Sequence, residues 1–388
     1  MILKVTISRA ENIPILLKKL ARCFDVSKTV DTLVTLKKVA RHFDAGYLAT
    51  IAHFVKLQLI GRFRRYEIFR LGIADPATPP EIMADVISIV SGIHMQRAIN
   101  PKGYDYVTED KGVFYHYCMG ADIRVPRLYA VFDPLLGWTA NGELLNGKDD
   151  WVRFFQDEVP DSLVIKPTMG LQAKSVFILT RDQDAFTDQS GQRYSATDLF
   201  DVFATHTEFD RFIIQERVEN HPDLIELTDT AALHTVRIVT GIDNNGEASI
   251  FFAAQKLVGG SNLLDGFFCG AAGNYLAELS LDQGRIVKVL IGTEDGFELG
   301  VLETHPKTGH SLVNFRVPYW QAARDMVIDA ARKFAPIKTI GWDVAITPDG
   351  PVIIEGNTSW GIDHFSALRN CSPFTDYARE MIGTAGKG

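Results

Sequence analysis

Apolar residues recur at three- and four-residue spacing through residues 1–100. In "NIPILLKKLARCF", "TVDTLVTLKKVARHF" and "YLATIAHFVKLQLIGRF" cationic residues fall between them, a pattern that predicts amphipathic helices. Pro76, Pro79 and Pro80 in "ADPATPPEI" end this run, because proline cannot continue a helix. "PPEIMADVISIVSGIHMQRAI" then predicts one more helix, with Pro80 in its first turn.

After Pro101 the texture changes to short β-rich runs. These are "SLVIKP", "SVFILT", "RFIIQERV", "HTVRIVTGI", "ASIFFAAQKLV", "DVAIT" and "PVIIEGN". The turns "DNNGE", "DQGR" and "TPDG" suit tight antiparallel connections. Helical patterns intervene at "SATDLFDVFATH" and "VPYWQAARDMVIDAARKFAP". The expectation is an α+β domain over residues 101–388, built on antiparallel sheets and preceded by a helical region over residues 1–100. "VGGSNLLDGFFCGAAGN" is the best candidate for an irregular loop near a site. No repeat or low-complexity tract stands out.

Composition narrows the class. The chain has 388 residues, 46% hydrophobic and 23% charged, enough for a large core. A net charge of -8 argues against non-specific binding to nucleic acid or to an anionic membrane. No apolar run approaches the ~18 residues of a membrane span, and charges interrupt the N-terminal stretch where a signal peptide would be apolar. Cys23, Cys118, Cys269 and Cys371 are far apart and form no CxxC pair, so they read as reduced and mostly buried. A cytoplasmic protein is expected.

Candidate chemistry concentrates in "GWDVAITPDGPVIIEGNTSWG". Read as a hairpin turning at Pro348 to Gly350, it places Asp343 nearly opposite Glu355, with Asn357 on the face of Glu355. Like charges opposed across a sheet repel, and a cation between them relieves this. Two carboxylates and an amide oxygen are hard ligands suited to Mg²⁺. The plainer reading is an exposed polar face of an edge hairpin; on spacing alone the two weigh evenly.

Upstream, Lys166 ends an apolar strand and a turn with Gly170 follows, so the lysine can reach a phosphate. "DRFIIQERVENHPDL" is a strand ending in polar residues, where backbone groups could read an adenine edge and Glu219 or Asp223 could take a ribose hydroxyl. Taken singly, each reads better as ordinary structure: a hairpin with one exposed lysine, and a solvated strand end.

In this order, "VIKP", "IIQERVENHPDL", "LHTVRIVTGI", "HPKTG", "VPYW" and "IGWDVAITPDGPVIIEGNTSWGID" resemble the ATP-grasp superfamily, and more narrowly its sugar-transfer-associated family. The likeness covers about residues 100–375. It implies an ATP-grasp fold: two α+β subdomains with antiparallel sheets gripping ATP, the lid at about 160–218 and a metal-bearing core at 230–375. It also implies that Lys166 contacts nucleotide phosphate and adenine, and that Lys111 in "TEDKGVF" is the earlier phosphate lysine. Gln215, Glu216 and Val218 fall at the adenine hinge, with Asp223 near the ribose. Asp343, Glu355 and Asn357 match the Mg²⁺ ligands, and Arg237 and Lys256 face the γ-phosphate and acyl phosphate.

Three departures stand out. Gly341 occupies a position two residues before the metal aspartate that is often arginine, with Arg237 able to supply the charge instead. The loop "TMGLQAK", which ends in Lys174, is less glycine-rich than the usual phosphate loop, and the N-terminal helices differ from the usual N-terminal α/β domain.

The resemblance implies an ADP-forming ligase that joins a small-molecule carboxylate to an amine or other nucleophile, with ATP and Mg²⁺, through an acyl phosphate. Amino-acid, peptide or sugar-linked metabolites are the expected substrates. A phosphotransferase using the same site and a non-catalytic nucleotide-binding scaffold stay open. Neither nucleic-acid binding nor membrane insertion is expected, and a homodimer is admitted. His221 and His305 precede prolines and read as structural.

Overall fold

Two neighbouring strands are buried along their whole length, Thr235–Ile242 and Thr339–Thr347. Strands covered on both faces need no polar alternation. The computed structural model describes residues 26–170, 175–260 and 262–385. The first expected helix, Cys23 and Lys174 lie outside the described residues.

The strands form two antiparallel sheets. The first contains β1 (Leu128–Phe132), β2 (Gly137–Thr139), β3 (Leu144–Leu145), β4 (Ser162–Pro167), β5 (Phe177–Asp182), β6 (Ala185–Thr187), β7 (Arg193–Ser195) and β8 (Phe212–Glu216), in the order β3-β2-β1-β8-β4-β5-β6-β7. The second contains β9 (Thr235–Ile242), β10 (Ala248–Leu257), β11 (Tyr275–Leu279), β12 (Ile286–Gly292), β13 (Leu299–Val301), β14 (Thr339–Thr347) and β15 (Gly350–Asn357), in the order β13-β12-β11-β10-β9-β14-β15. The residues expected to grip nucleotide, about 160–218, supply β4 to β8; the same sheet also draws β1 to β3 from upstream.

Three apolar layers hold the sheets. Val236, Ile238, Trp342 and Val344 pack with Ala323, Val327 and Ala330 of helix Trp320–Lys333. On the other face of the second sheet, Val239, Phe252 and Leu276 pack with Phe54, Phe69 and Ile73 from the N-terminal region and with Trp360 and Phe365. In the first sheet, Phe132, Ile165 and Phe212 pack with Trp151, Phe155 and Phe203 of helices Gly147–Asp157 and Ala196–Ala204. Helix Lys111–Gly120 joins the sheets, its Phe114 and Tyr115 packing with Ile213 of one and Trp342 of the other.

The N-terminal helices are therefore part of the main body. Gln96 Nε2 donates to the Trp360 carbonyl at 2.9 Å, and Asn100 Oδ1 accepts from the amides of Lys338 and Thr339 at 3.0 and 2.9 Å. The stretch expected to be one helix after Pro80 is two, Pro80–Ala84 and Ile89–Ile99. Ser88 causes the break by capping the second, its Oγ accepting from Ser91 N at 3.2 Å.

Buried Glu67 fixes this corner. Its Oε2 accepts from Arg64 N and its Oε1 from Ile89 N, both at 2.7 Å. Glu67→Ala leaves two amides short of an acceptor and should cost ~1–3 kcal/mol in urea unfolding, while exposed Glu81→Ala should cost nothing measurable. Equal midpoints for the two variants would show that Glu67 does not hold the corner.

Candidate active site

The β14–β15 hairpin turns at Thr347 and Gly350, whose φ of +108° suits glycine. From the turn the register runs Ala345 to Val352 and Val344 to Ile353, then shifts by one residue at a bulge, so that Asp343 pairs with Glu355 and Gly341 with Asn357. Without the extra residue, Asp343 would oppose Ile354 and Glu355 would turn toward the face of Trp342. A bulge re-aims a side chain in this way. The two acids are thus direct cross-strand partners.

Asp343 also pairs across β9 with Arg237. The guanidinium grips it with two bonds, Nε to Oδ1 at 2.8 Å and Nη2 to Oδ2 at 2.9 Å. Lys256 Nζ adds a contact to Oδ1 at 3.1 Å and lies 3.3 Å from Asp265 Oδ1. Burial alone would raise the Asp343 carboxyl; Arg237 and Lys256 outweigh it and hold the group well below its ordinary range. Burial likewise works against charged Lys256, but Asp265 and Asp343 leave its ammonium above its usual value. Asp265 is anchored by Thr235, its Oδ2 accepting from the Thr235 amide at 3.1 Å and hydroxyl at 2.5 Å.

Gly341 has a steric explanation. A Cβ there would come within 2.4 Å of the Trp360 Cβ. Trp360 is buried and donates from Nε1 to Thr339 Oγ1. No arginine fits at position 341, and the guanidinium beside Asp343 comes from the neighbouring strand.

Glu355 faces the first sheet. Lys166 Nζ lies 3.6 Å and Lys111 Nζ 3.8 Å from its Oε1. Lys111 is placed by the helix that it begins: Asp110 caps that helix by accepting from Val113 N, and the Lys111 amide donates to the Thr168 carbonyl at the end of β4. Lys166 Nζ sits 5.6 Å from the centre of the Tyr115 ring. The Tyr115 hydroxyl donates to Gln215 Oε1 at 2.8 Å. Burial lowers the Lys166 ammonium to about 8, with Glu355 opposing the fall and Lys111 adding to it.

These contacts gather Arg237, Lys256, Lys166 and Lys111 around Asp343, Glu355 and Asp265, with Asp363 close enough to act on Arg237 as well. Lys111 and Lys166 repel one another, and an anion arriving beside them is favoured.

Along the same face of the hairpin, toward its turn, lies a cavity of about 240 Å³. Thr347, Pro348, Asp349 and Val352 form one wall, and Glu216, Arg217, Val218 and Glu219 the other. At ~3.3 Å per residue, Thr347 is roughly 13 Å from Asp343. The Glu216 amide is used by the Arg127 carbonyl, whereas Arg217 and Val218 make no backbone hydrogen bond among the described residues. Gln215 is held by Tyr115 behind this wall. Asp223 lies outside it, beside His221 in the first turn of helix Pro222–Thr228. Of the two acids considered for the ribose, Glu219 lines the cavity. His221 caps that helix, and His305 accepts from the Thr308 amide in a local turn.

The donor set fits magnesium in kind. Glu355 meets its lysines at 3.6 and 3.8 Å and Asn357 makes no side-chain hydrogen bond among the described residues, so these two retain free hard oxygens, whereas both Asp343 oxygens are held by Arg237 and Lys256. The described residues hold no cluster of three or more His, Cys, Asp or Glu side chains that could hold a metal. Two acids and an amide suit an ion that keeps waters and phosphate oxygens in its shell.

Asp265 and Tyr115 were not anticipated as site residues. Asp265 lies in the glycine-rich stretch flagged as an irregular loop, which carries left-handed backbone at Gly260, Cys269 and Gly273. Cys118, Cys269 and Cys371 are buried free thiols.

Two antiparallel sheets facing one another across lysines, with an acid pair on the terminal hairpin, define an ATP-grasp protein. Within that class the chain belongs to the sugar-transfer associated ATP-grasp family, whose profile matches residues 93–370. Among solved structures it is similar to the D-alanine-D-alanine ligase from Coxiella burnetii, at 10% identity over 72% of this chain and 59% of that one, TM-score 0.40. It is also similar to the VanG D-Ala:D-Ser ligase from Enterococcus faecalis, at 14% identity over 71% and 61%, TM-score 0.38. A third is a biotin carboxylase complex from Campylobacter jejuni, at 11% identity over 72% and 46%, TM-score 0.39. The chain covers less than two thirds of each of these proteins. No match was found among curated proteins.

Two measurements probe this geometry. Gly341→Ala should be destabilised by ~1–3 kcal/mol through overpacking against Trp360; unchanged thermal stability would mean that the tryptophan yields freely. Lys166 offers a pH test. Its folded value lies below its ordinary one, so between pH about 8 and 10.5 the unfolded chain holds the proton and the folded chain does not. Wild type should therefore gain stability relative to Lys166→Met as pH rises through that window. A difference that stays flat with pH would rule out a depressed Lys166.

Proposed function

We propose that the chain is an ADP-forming, ATP-dependent ligase that joins a small-molecule carboxylate to an amine or related nucleophile through an acyl phosphate. The observation that carries this reading is the set of four cations, Arg237, Lys256, Lys166 and Lys111, held against the Asp343–Glu355 pair. Family membership supports nucleotide use, and the family's description makes sugar-linked acids and amines the first substrates to try.

In this reading the adenine lies between the hinge at Glu216–Glu219 and the hairpin turn, and the phosphates extend toward Asp343. Lys166 and Lys111 hold phosphate oxygens. Asp343, Glu355 and Asn357 would hold Mg²⁺, which when bound draws charge from the β- and γ-phosphates. Arg237 and Lys256, held beside Asp343, offer their positive charge to the γ-phosphoryl group, and Asp265 keeps Lys256 in place. The substrate carboxylate oxygen forms a bond to the γ-phosphorus as the bond to ADP breaks. The amine then attacks the acyl carbon, phosphate leaves, and the nitrogen loses a proton. Rate comes from position and from fixed positive charge.

The test is release of ADP and free phosphate across a panel of acids and amines, with hydroxylamine to trap the acyl phosphate and mass spectrometry to identify products. A phosphorylated hydroxyl acceptor with no free phosphate would replace the ligase by a phosphotransferase. Nucleotide binding with no turnover on any pair would favour a scaffold.

Glu355→Gln keeps size and removes one charge. Turnover should fall ~10²-fold or more. Wild type at a hundred times its Kd for Mg·ADP should gain ~2.7 kcal/mol, and the variant far less. An active variant that is stabilised by Mg·ADP as wild type is would remove the acid pair from the mechanism.

A further inference from the structure

We infer that the N-terminal helices dock the protein peripherally on an anionic lipid surface. Helix Tyr47–Leu59 is apolar on both sides. Phe54 and Leu57 face the core. Leu48, Ala52, Val55 and Leu59, spaced by four, three and four residues, share another stripe, and all four are exposed. Leu48 is 79% exposed, and Ile60, just past the helix end, is 77% exposed. A helix that is apolar all round is ordinarily covered on all sides.

The charge of the same region identifies what covers it. Residues 26–70 contain nine lysines and arginines and three acids, in a chain whose net charge is -8. One of the three acids is the buried Glu67. Lys37, Lys38, Arg41 and Lys56 are exposed and pair with no carboxylate among the described residues. On helix Val26–His42 they follow exposed Leu33 and Val34, and on the second helix Lys56 adjoins the Leu48–Leu59 stripe. Protruding aliphatic side chains among exposed cations match a layer with anionic headgroups above hydrocarbon. A second copy of the chain would bring the same cations against these, and a nucleic acid would leave the aliphatic side chains without a partner. No helix among the described residues is long and apolar enough to cross a membrane. The net charge of the whole chain conceals this segregation. The proposal does not depend on the ligase reading.

The test is co-sedimentation of the full chain with vesicles of phosphatidylcholine, with and without about one-third phosphatidylglycerol. Binding is expected only to the anionic vesicles and should weaken as salt is raised. Lys37→Glu with Lys38→Glu should reduce the partition ~tenfold or more, and Leu48→Ser with Ile60→Ser should reduce it at low salt, with thermal melts matching wild type. Leu48→Ser alone serves if the double variant fails to fold. Absence of binding to anionic vesicles, or equal binding by all variants, overturns the inference. So does a shift from dimer to monomer on Leu48→Ser, which would assign the stripe to a second copy of the chain.

Discussion

The site depends on one buried carboxylate. Asp343 is buried on β14, between β9 and the edge strand β15 of the second sheet, where a lone charge would be strongly disfavoured. It remains ionised because Arg237 meets both its oxygens and Lys256 meets one. Removing either cation would leave an uncompensated charge, usually more costly than never having buried the pair. The constraint spreads outward. Lys256 is itself buried and needs Asp265, and Asp265 needs the amide and hydroxyl of Thr235. The loop that carries Asp265 bends through left-handed residues on its way to the site.

Fold and site are coupled through the hairpin bulge and through Trp360. The bulge turns Glu355 from the apolar face toward the lysines of the first sheet. Trp360 fills the space above Gly341 and accepts at its carbonyl from Gln96 of the N-terminal region. The N-terminal helices thus brace the residue that denies position 341 a side chain. That denial fits a cluster in which the arginine stands on β9.

Much of this was legible in the sequence because its cause is local. Strand periodicity located β4, β8, β9, β10 and the terminal hairpin, and the turn chemistry of "TPDG" brought Asp343 opposite Glu355 to within one residue. The last residue of register came from a bulge, which spacing alone does not reveal. β1 to β3 escaped notice because they are short and depend on β8 for pairing. The break at Ser88 escaped because an apolar period crosses it; the cap and the distant Glu67 decide the matter. Asp265 could be flagged only as part of an irregular loop. Its role rests on contacts with β9 and β10, which are tertiary. Lys166, which reads singly as an exposed strand-end lysine, is buried, because helix Lys111–Gly120 lays Tyr115 against it.

A mean charge says little about a protein that sorts its charges. The acidic total would exclude anionic partners only if charge were spread evenly. Here cations concentrate twice, once around the Asp343–Glu355 pair and once on the N-terminal helices. The physical consequences differ. In the buried cluster the low local dielectric magnifies each charge and little salt penetrates, so each cation acts strongly on whatever its fixed geometry can reach. On the exposed helices water and salt screen each charge, so no single lysine there commands a partner. Selectivity at that surface needs a second component, which the exposed aliphatic stripe supplies. One chain can therefore be acidic overall and still present two cationic sites, one that selects by geometry and one by the coincidence of charge with apolar surface.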